Sequence, residues 1–380
     1  MEKIKVMTVF GTRPEAIKMS PLVLRLKQRS EVFDEVTVVT GQHREMLEQV
    51  LAVFHIEPNY NLNIMKSRQT LADITSNVIL NLGRVIAKEK PDIILVHGDT
   101  TTTFAASVSA FYQRTKIGHV EAGLRTWNKY SPYPEEMNRQ LTDVLSDLYF
   151  APTDQSRANL LREDHPEKTI FVTGNTAIDA LNQTVQADYH HAVLDLIDPT
   201  KKMILVTMHR RENQGAPMRR VFKVMREVVE KRPGVEIIYP VHLNPVVQEA
   251  ADSILGNHSR IHLIDPLDVV DFHNLAARSY FIMTDSGGVQ EEAPSLEKPV
   301  LVLRDTTERP EGVQAGTLKL VGTDPKTVKK AMLELLDDDN EYQRMATARN
   351  PYGDGHASDR ILNAILFEFG HLQNRPESFK

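Results

Sequence analysis

The sequence predicts an α/β protein built as two doubly wound domains, each a parallel sheet covered by helices. Three observations carry that expectation. The chain has 380 residues, more than one ordinary hydrophobic core accommodates. Short apolar runs alternate with amphipathic stretches along most of its length. That rhythm falters between residues 184 and 201, where polar residues, histidines and Pro199 interrupt it, and a linker is expected there.

The first series of apolar runs covers residues 3–10, 36–40, 93–97, 117–120, 148–151 and 170–173, which read as buried parallel strands. Helical patterns at 16–28, 71–88 and 104–112 lie between them. A second series comprises 203–207, 235–240, 261–264, 280–284 and 300–303, with helices near 218–231, 246–255, 269–277 and 326–336. Such alternation implies right-handed strand–helix–strand units and a doubly wound sheet in each half. The closing stretch, 358–369, is an amphipathic helix after the turn-rich Asn350-Pro351-Tyr352-Gly353-Asp354-Gly355.

Composition removes several function classes. Hydrophobic residues make up 41% and charged ones 25%, ordinary for a globular protein. No apolar run approaches the roughly 18–20 residues that span a bilayer, so no membrane partner is expected. The opening Met1-Glu2-Lys3-Ile4-Lys5 lacks a signal peptide's apolar core. The absence of cysteine rules out disulfides, thiolate nucleophiles and Cys-ligated zinc. The cytoplasm is the expected compartment. Net charge is −6 with no basic tail, which disfavours nucleic acid as a partner.

In open parallel sheets, ligands bind at the carboxyl ends of strands. The first such end carries Gly11-Thr12-Arg13-Pro14-Glu15-Ala16-Ile17-Lys18, where Arg13 and Lys18 read either as anion contacts or as solvated helix charges. His97-Gly98-Asp99-Thr100 puts Asp99 at the next, although a helix N-cap is the commoner role for such a residue. His119-Val120-Glu121-Ala122-Gly123 places Glu121 on a neighbouring tip, and Glu135 with Glu136 opens a helix, where acids also suit the dipole. Three acids near strand ends of one half make candidate proton donors and acceptors.

The second half supplies the opposite charge. Met208-His209-Arg210-Arg211-Glu212 follows its first strand and reads as a phosphate contact or a salt-bridge network. Asp285-Ser286-Gly287-Gly288-Val289-Gln290-Glu291-Glu292 follows residues 280–284 and opens a helix. Its glycines permit close backbone approach, and exposed N–H groups bind phosphate; the plainer reading is a Ser N-cap with packing glycines. Glu292, one turn on, suits ribose hydroxyls. His190-His191 lacks metal-ligand spacing, so no metal site is expected.

These segments, together with Arg304-Asp305-Thr306-Thr307-Glu308-Arg309-Pro310-Glu311 and the Asn350–Gly355 turn, resemble the bacterial non-hydrolysing UDP-N-acetylglucosamine 2-epimerases. The match runs in order along nearly the whole chain. The resemblance implies two Rossmann-like domains of the glycosyltransferase-B type, with an active-site cleft between them. Residues 1–184 plus about 358–380 would form the N-terminal domain and 185–357 the C-terminal one. It implies Asp99, Glu121, Glu135 and His209 as catalytic residues, and Arg13 and Lys18 as first-domain substrate contacts. Ser286, Gly287 and Gly288 would hold the diphosphate, Glu292 the ribose, Phe272 and the Leu267 backbone the uracil, and Arg309 the anionic pocket. Gln42, Arg68, Gln69, Arg210 and His242 would contact a second UDP-N-acetylglucosamine acting as allosteric activator. The resemblance also implies a homodimer and a product destined for cell-surface polysaccharide.

The chemistry is consistent with such a set. The hydrogen on C2 of the sugar has no adjacent carbonyl and is not acidic. Transient oxidation by a nicotinamide would solve this, but no Gly-x-Gly-x-x-Gly signature is present, so no cofactor is expected. Elimination of UDP to 2-acetamidoglucal and re-addition is the other route. It needs a stabilised diphosphate and at least two proton-transfer groups.

Overall fold

A computed structural model describes residues 2–41, 44–66, 69–307 and 309–380. The chain divides into two compact units, Met1–Asn182 with Gly353–Lys380, and Gln183–Tyr352.

In the first unit the strands are β1 (Ile4–Phe10), β2 (Phe33–Val39), β3 (Tyr60–Asn61), β4 (Ile93–His97), β5 (Lys116–Val120), β6 (Leu148–Ala151) and β7 (Ile170–Val172). They form one sheet in the order β3-β2-β1-β4-β5-β6-β7, every pairing parallel. One face buries Phe10, Leu22, Leu26 and Phe150 with Ile361, Leu362 and Ile365 of the closing helix Ala357–Glu368. The buried Asp179 carboxylate accepts from the Ala357 and Ser358 backbone N–H groups and fixes the start of that helix. The other face carries Leu71–Glu89, which shows why such a segment becomes a helix. Thr70 and Asp73 form a reciprocal capping box, and Ile74, Val78, Leu82, Val85 and Ile86 recur on one buried stripe.

The second unit contains β8 (Lys202–Thr207), β9 (Val235–Pro240), β10 (Ile261–Ile264), β11 (Phe281–Thr284), β12 (Val300–Val302) and β13 (Leu318–Leu320). Their order, β10-β9-β8-β11-β12-β13, is again wholly parallel. Phe222, Tyr239, Phe281 and Met332 fill one face, and Leu205, Leu275, Ile282 and Val302 the other. Thr184 and Gln186 pack here too, through hydrogen bonds to His273 and Asn274.

The expected α/β class is observed as two Rossmann-like sheets. Strands β3 and β13 escaped sequence reading, because edge strands of two or three residues offer no apolar run. Several helices escaped too, among them Arg44–Val53, Asp154–Arg162 and Asp339–Ala346. Strand order reverses between β1 and β4 in one unit and between β8 and β11 in the other. Crevices outside the carboxyl ends at such switch points are where doubly wound sheets bind ligands.

Candidate active site

At the first switch point the turn after β1 is organised by Glu15, a nearly fully buried carboxylate. It accepts from the backbone N–H groups of Gly11 (3.0 Å) and Thr12 (2.7 Å) and from the Thr100 hydroxyl (2.6 Å). Burial pushes the Glu15 carboxyl up, and these hydrogen bonds oppose the rise. Arg13, half-buried, begins the helix Arg13–Gln28 and Lys18 lies on its second turn.

The N-cap reading of Asp99 is corrected. Thr100 takes that position, its hydroxyl accepting from the Thr103 N–H at 3.1 Å. Asp99, one residue earlier, is left to pair its carboxylate with Arg139, while its carbonyl accepts from Asn138 Nδ2 at 2.9 Å. Glu121 has a φ of +66°, an uncommon conformation for a residue with a Cβ. Its Oε1 accepts from Lys18 Nζ and from Asn175 Nδ2 (3.3 Å), and its Oε2 lies 3.7 Å from His97 Nε2. Gly98 sits between the two acids: a Cβ there would lie 3.3 Å from Glu121 Oε2.

The helix Glu135–Leu145 separates its first two acids. Glu136 is buried and accepts from the Thr126 and Trp127 backbone. Glu135 is half-buried and makes no side-chain hydrogen bond or ion pair among the described residues. Behind the tips, His119 Nδ1 meets Asp143 at 2.6 Å and Nε2 meets the Gly98 carbonyl at 2.7 Å. Burial alone would raise the Asp143 carboxyl, but His119 and Arg125 hold it below its ordinary range. Sequence reasoning passed over His97, His119, Arg139, Asn175 and Asp143. The one available signal was a histidine opening each of the segments His97-Gly98-Asp99 and His119-Val120-Glu121.

At the second switch point the buried acid is Asp285. Its carboxylate accepts from the His209 and Arg210 N–H groups at 3.0 and 2.9 Å and from Asn213 Nδ2 at 3.0 Å. Ser286 holds the N-cap position of Gly287–Glu292, yet its hydroxyl makes no capping hydrogen bond. A Cβ on Gly287 would lie 3.6 Å from Arg309 Nη2 and 3.8 Å from Arg210 Nη2, so two guanidinium groups converge there. Arg309 Nε also bonds Glu291 at 2.5 Å. His209 stacks on His242, ring centroids 5.4 Å apart and 7° from parallel. Burial pushes the His209 imidazole below its ordinary value, His242 and Arg210 add to the fall, and Asp285 opposes it.

Glu292 Oε2 lies 3.4 Å from His273 Nε2. Leu267 and Phe272 pack against the apolar layer under the sheet. Leu267 also lines a cavity of about 510 Å³ with His191, Val241, Pro266 and Asp271. Of the activator candidates, Gln42 and Arg68 lie outside the described residues. Gln69 belongs to the first unit and accepts from the Lys66 N–H at 3.0 Å; Arg210 and His242 belong to the second.

Against this geometry, the family model described as UDP-N-acetylglucosamine 2-epimerase matches residues 25–366. The UDP-N-acetylglucosamine 2-epimerase of Bacillus subtilis is 62% identical over 379 residues, covering 100% of this chain and 99% of that protein. The S. aureus MnaA–UDP co-structure superposes with a TM-score of 0.89 at 53% identity, over 99% of this chain and 100% of that one. The Neisseria meningitidis UDP-GlcNAc 2-epimerase bound to UDP-GlcNAc gives 0.85 at 48% identity, over 96% and 100%. The fold and the strand-tip chemistry define a nucleotide-sugar enzyme of two Rossmann-like domains. The chain belongs to the UDP-N-acetylglucosamine 2-epimerase family, and 2-epimerase chemistry is the frame for its site.

Proposed function

We propose that the chain interconverts UDP-N-acetylglucosamine and UDP-N-acetylmannosamine without hydrolysis, by elimination and re-addition of UDP. The observation that carries this reading is the convergence of Arg210 and Arg309 on Gly287, beside an N-cap Ser286 whose hydroxyl is not spent on capping. Backbone N–H groups, a hydroxyl and two guanidinium groups suit a diphosphate that must hold the electron pair of a breaking C1–O bond. Each well-placed donor to such developing charge contributes about 3 kcal/mol.

The proton leaves C2 for a carboxylate as UDP departs, giving 2-acetamidoglucal. Re-addition returns UDP to C1 and delivers a proton to the opposite face of C2. Asp99, Glu121 and Glu135 are the proton-transfer groups in this reading, with Arg13 and Lys18 as sugar-side contacts. His209 stands next to the diphosphate, Glu292 holds the ribose, and Leu267 with Phe272 the uracil. Gln42, Arg68, Gln69, Arg210 and His242 would receive an activating second UDP-N-acetylglucosamine; the stacking of His242 on His209 supports contact between that ligand and the catalytic set. A homodimer is supported by the exposed Leu80, Phe111, Tyr112, Leu141 and Val144 on three helices of the first unit. Cytoplasmic residence and supply of surface polysaccharide complete the proposal. Among the described residues no helix is long and apolar enough to cross a membrane.

Incubation with UDP-N-acetylglucosamine in D₂O without added cofactor, followed by NMR, tests the reading. The expected product is UDP-N-acetylmannosamine at equilibrium, carrying deuterium at C2. Free N-acetylmannosamine accumulating with turnover would mean hydrolysis, transfer only to an added acceptor would mean a transferase, and binding without exchange would mean a sensor.

A further inference from the structure

The epimerisation reading leaves one buried group at the β4 tip without a task. The His97 side chain is almost fully buried, and neither ring nitrogen makes a hydrogen bond among the described residues. An imidazole with both nitrogens unpartnered costs free energy to bury, so its retention asks for a use. Its Nε2 faces Glu121 Oε2 at 3.7 Å, on the opposite side of that carboxylate from Lys18 and Asn175, which hold Oε1. Two further constraints fix the pair. The positive φ of Glu121 turns its side chain back over Gly98, and the Gly98 carbonyl is held by His119. The His97 carbonyl is held by the Thr103 hydroxyl at 2.5 Å.

We propose that His97 is a positioning residue for Glu121, a neutral N–H donor that faces Oε2 at 3.7 Å and draws in to hydrogen-bonding distance when the site is occupied, fixing the carboxylate's orientation and favouring its ionised form. The inference rests on Glu121 being a proton-transfer group. Neutrality is what suits the ring to this place. A cation at this place would weaken the carboxylate as a base, whereas a neutral donor orients it and leaves it better able to take a proton. The charged and titratable groups facing the pair are Lys18 from the helix Arg13–Gln28 and His119 from β5, with Glu15 one hydroxyl away through Thr103. Burial pushes the His97 imidazole down to about 4, Lys18 and His119 add to the fall, and Glu121 opposes it, so the ring stays uncharged near neutrality.

Two variants of the full chain test this by C2 deuterium exchange across pH. His97→Gln keeps a neutral N–H at similar reach, and His97→Met fills the space without one. His97→Met is expected to lower kcat at least 10-fold, inside the roughly 10²–10⁴-fold that acid–base assistance supplies. Its KM should stay near the wild-type value and its acid limb should move to higher pH. His97→Gln should keep kcat and the pH limb near wild type. Thermal midpoint and UDP binding establish that each variant is folded; if His97→Met does not fold, His97→Gln alone decides. A folded His97→Met with unchanged kcat and pH limb would overturn the role, as would kcat and KM changing together or His97→Gln failing like His97→Met. Absence of exchange in the wild type would instead overturn the epimerisation reading itself.

Discussion

The two units repeat one strand order, place polar chemistry at the same topological reversal and each fold in a carboxylate that ties down backbone, Glu15 and Asp285, yet they differ in what stands in front of that acid. In the first, Glu121 pairs with Lys18 and Asp99 with Arg139. The acids are the tips, and the bases serve them. In the second, Asp285 lies wholly behind the tip and spends its oxygens on the His209 and Arg210 N–H groups and Asn213. That leaves His209, Arg210, Ser286 and Arg309 as the tip. Carboxylates in front suit proton handling, and cations in front suit an anion. The sign of each strand end here depends on which groups stand in front of the folded-in acid.

The largest effect should come from removing an acid that points out. Glu121→Gln or Asp99→Asn should lower kcat by roughly 10²–10⁴-fold, the range of general acid–base assistance, and leave UDP affinity largely intact. Calorimetric titration with UDP and the exchange assay read the two quantities separately. If either substitution destroys UDP binding, the division of labour between the switch points is wrong.

The next effect is on stability, and the part that comes from His97 belongs to the first unit. His97 is neutral when folded down to about pH 4 but gains a proton in the unfolded chain below its ordinary value of 6.5. Between those limits the unfolded state holds the extra proton, so stability is full above 6.5 and falls as pH falls. Complete passage through the window is worth about 3 kcal/mol. Urea unfolding at pH 7 and 4.5 should therefore show the wild type losing more than His97→Gln; parallel losses would mean that the buried ring is already protonated.

Much of this contrast was legible in the sequence, for reasons that differ by residue. The run Ile93-Ile94-Leu95-Val96 announces a buried strand, and whatever follows such a strand lies at a tip, so position places Asp99, Glu121 and Ser286 at strand ends, while their roles come from the family resemblance. What hides is any feature that needs two distant segments. Arg139 reaches Asp99 across 40 residues, and Asn175 reaches Glu121 across 54. The N-cap reading of Asp99 failed because Thr100 competes for the same role one residue later, and spacing rules do not resolve a single position. That Asp285 is folded in rather than pointing out is likewise a tertiary fact, since Asp99 and Asp285 look alike in a linear reading.

The smallest expected effect uses one glycine from each switch point. Gly98 has a φ of +67°, and a Cβ there would press to 3.3 Å from Glu121 Oε2. Gly98→Ala combines a left-handed backbone, costing about 1–2 kcal/mol, with displacement of a proton-transfer group. It should lower both thermal midpoint and kcat. Gly287 has an ordinary φ, and its Cβ would meet the Arg309 and Arg210 guanidinium groups only at van der Waals distance, 3.6–3.8 Å. Gly287→Ala should keep or slightly raise the midpoint, because alanine favours a helix over glycine by about 0.5–1 kcal/mol. The added methyl occupies space assigned to the diphosphate, and loss of one hydrogen bond to a charged group, about 1.5 kcal/mol, corresponds to roughly 10-fold weaker UDP binding. A Gly287→Ala protein that binds UDP as tightly as wild type would place the diphosphate elsewhere in the second unit. It would also remove the reason for reading the cations in front of Asp285 as an anion site.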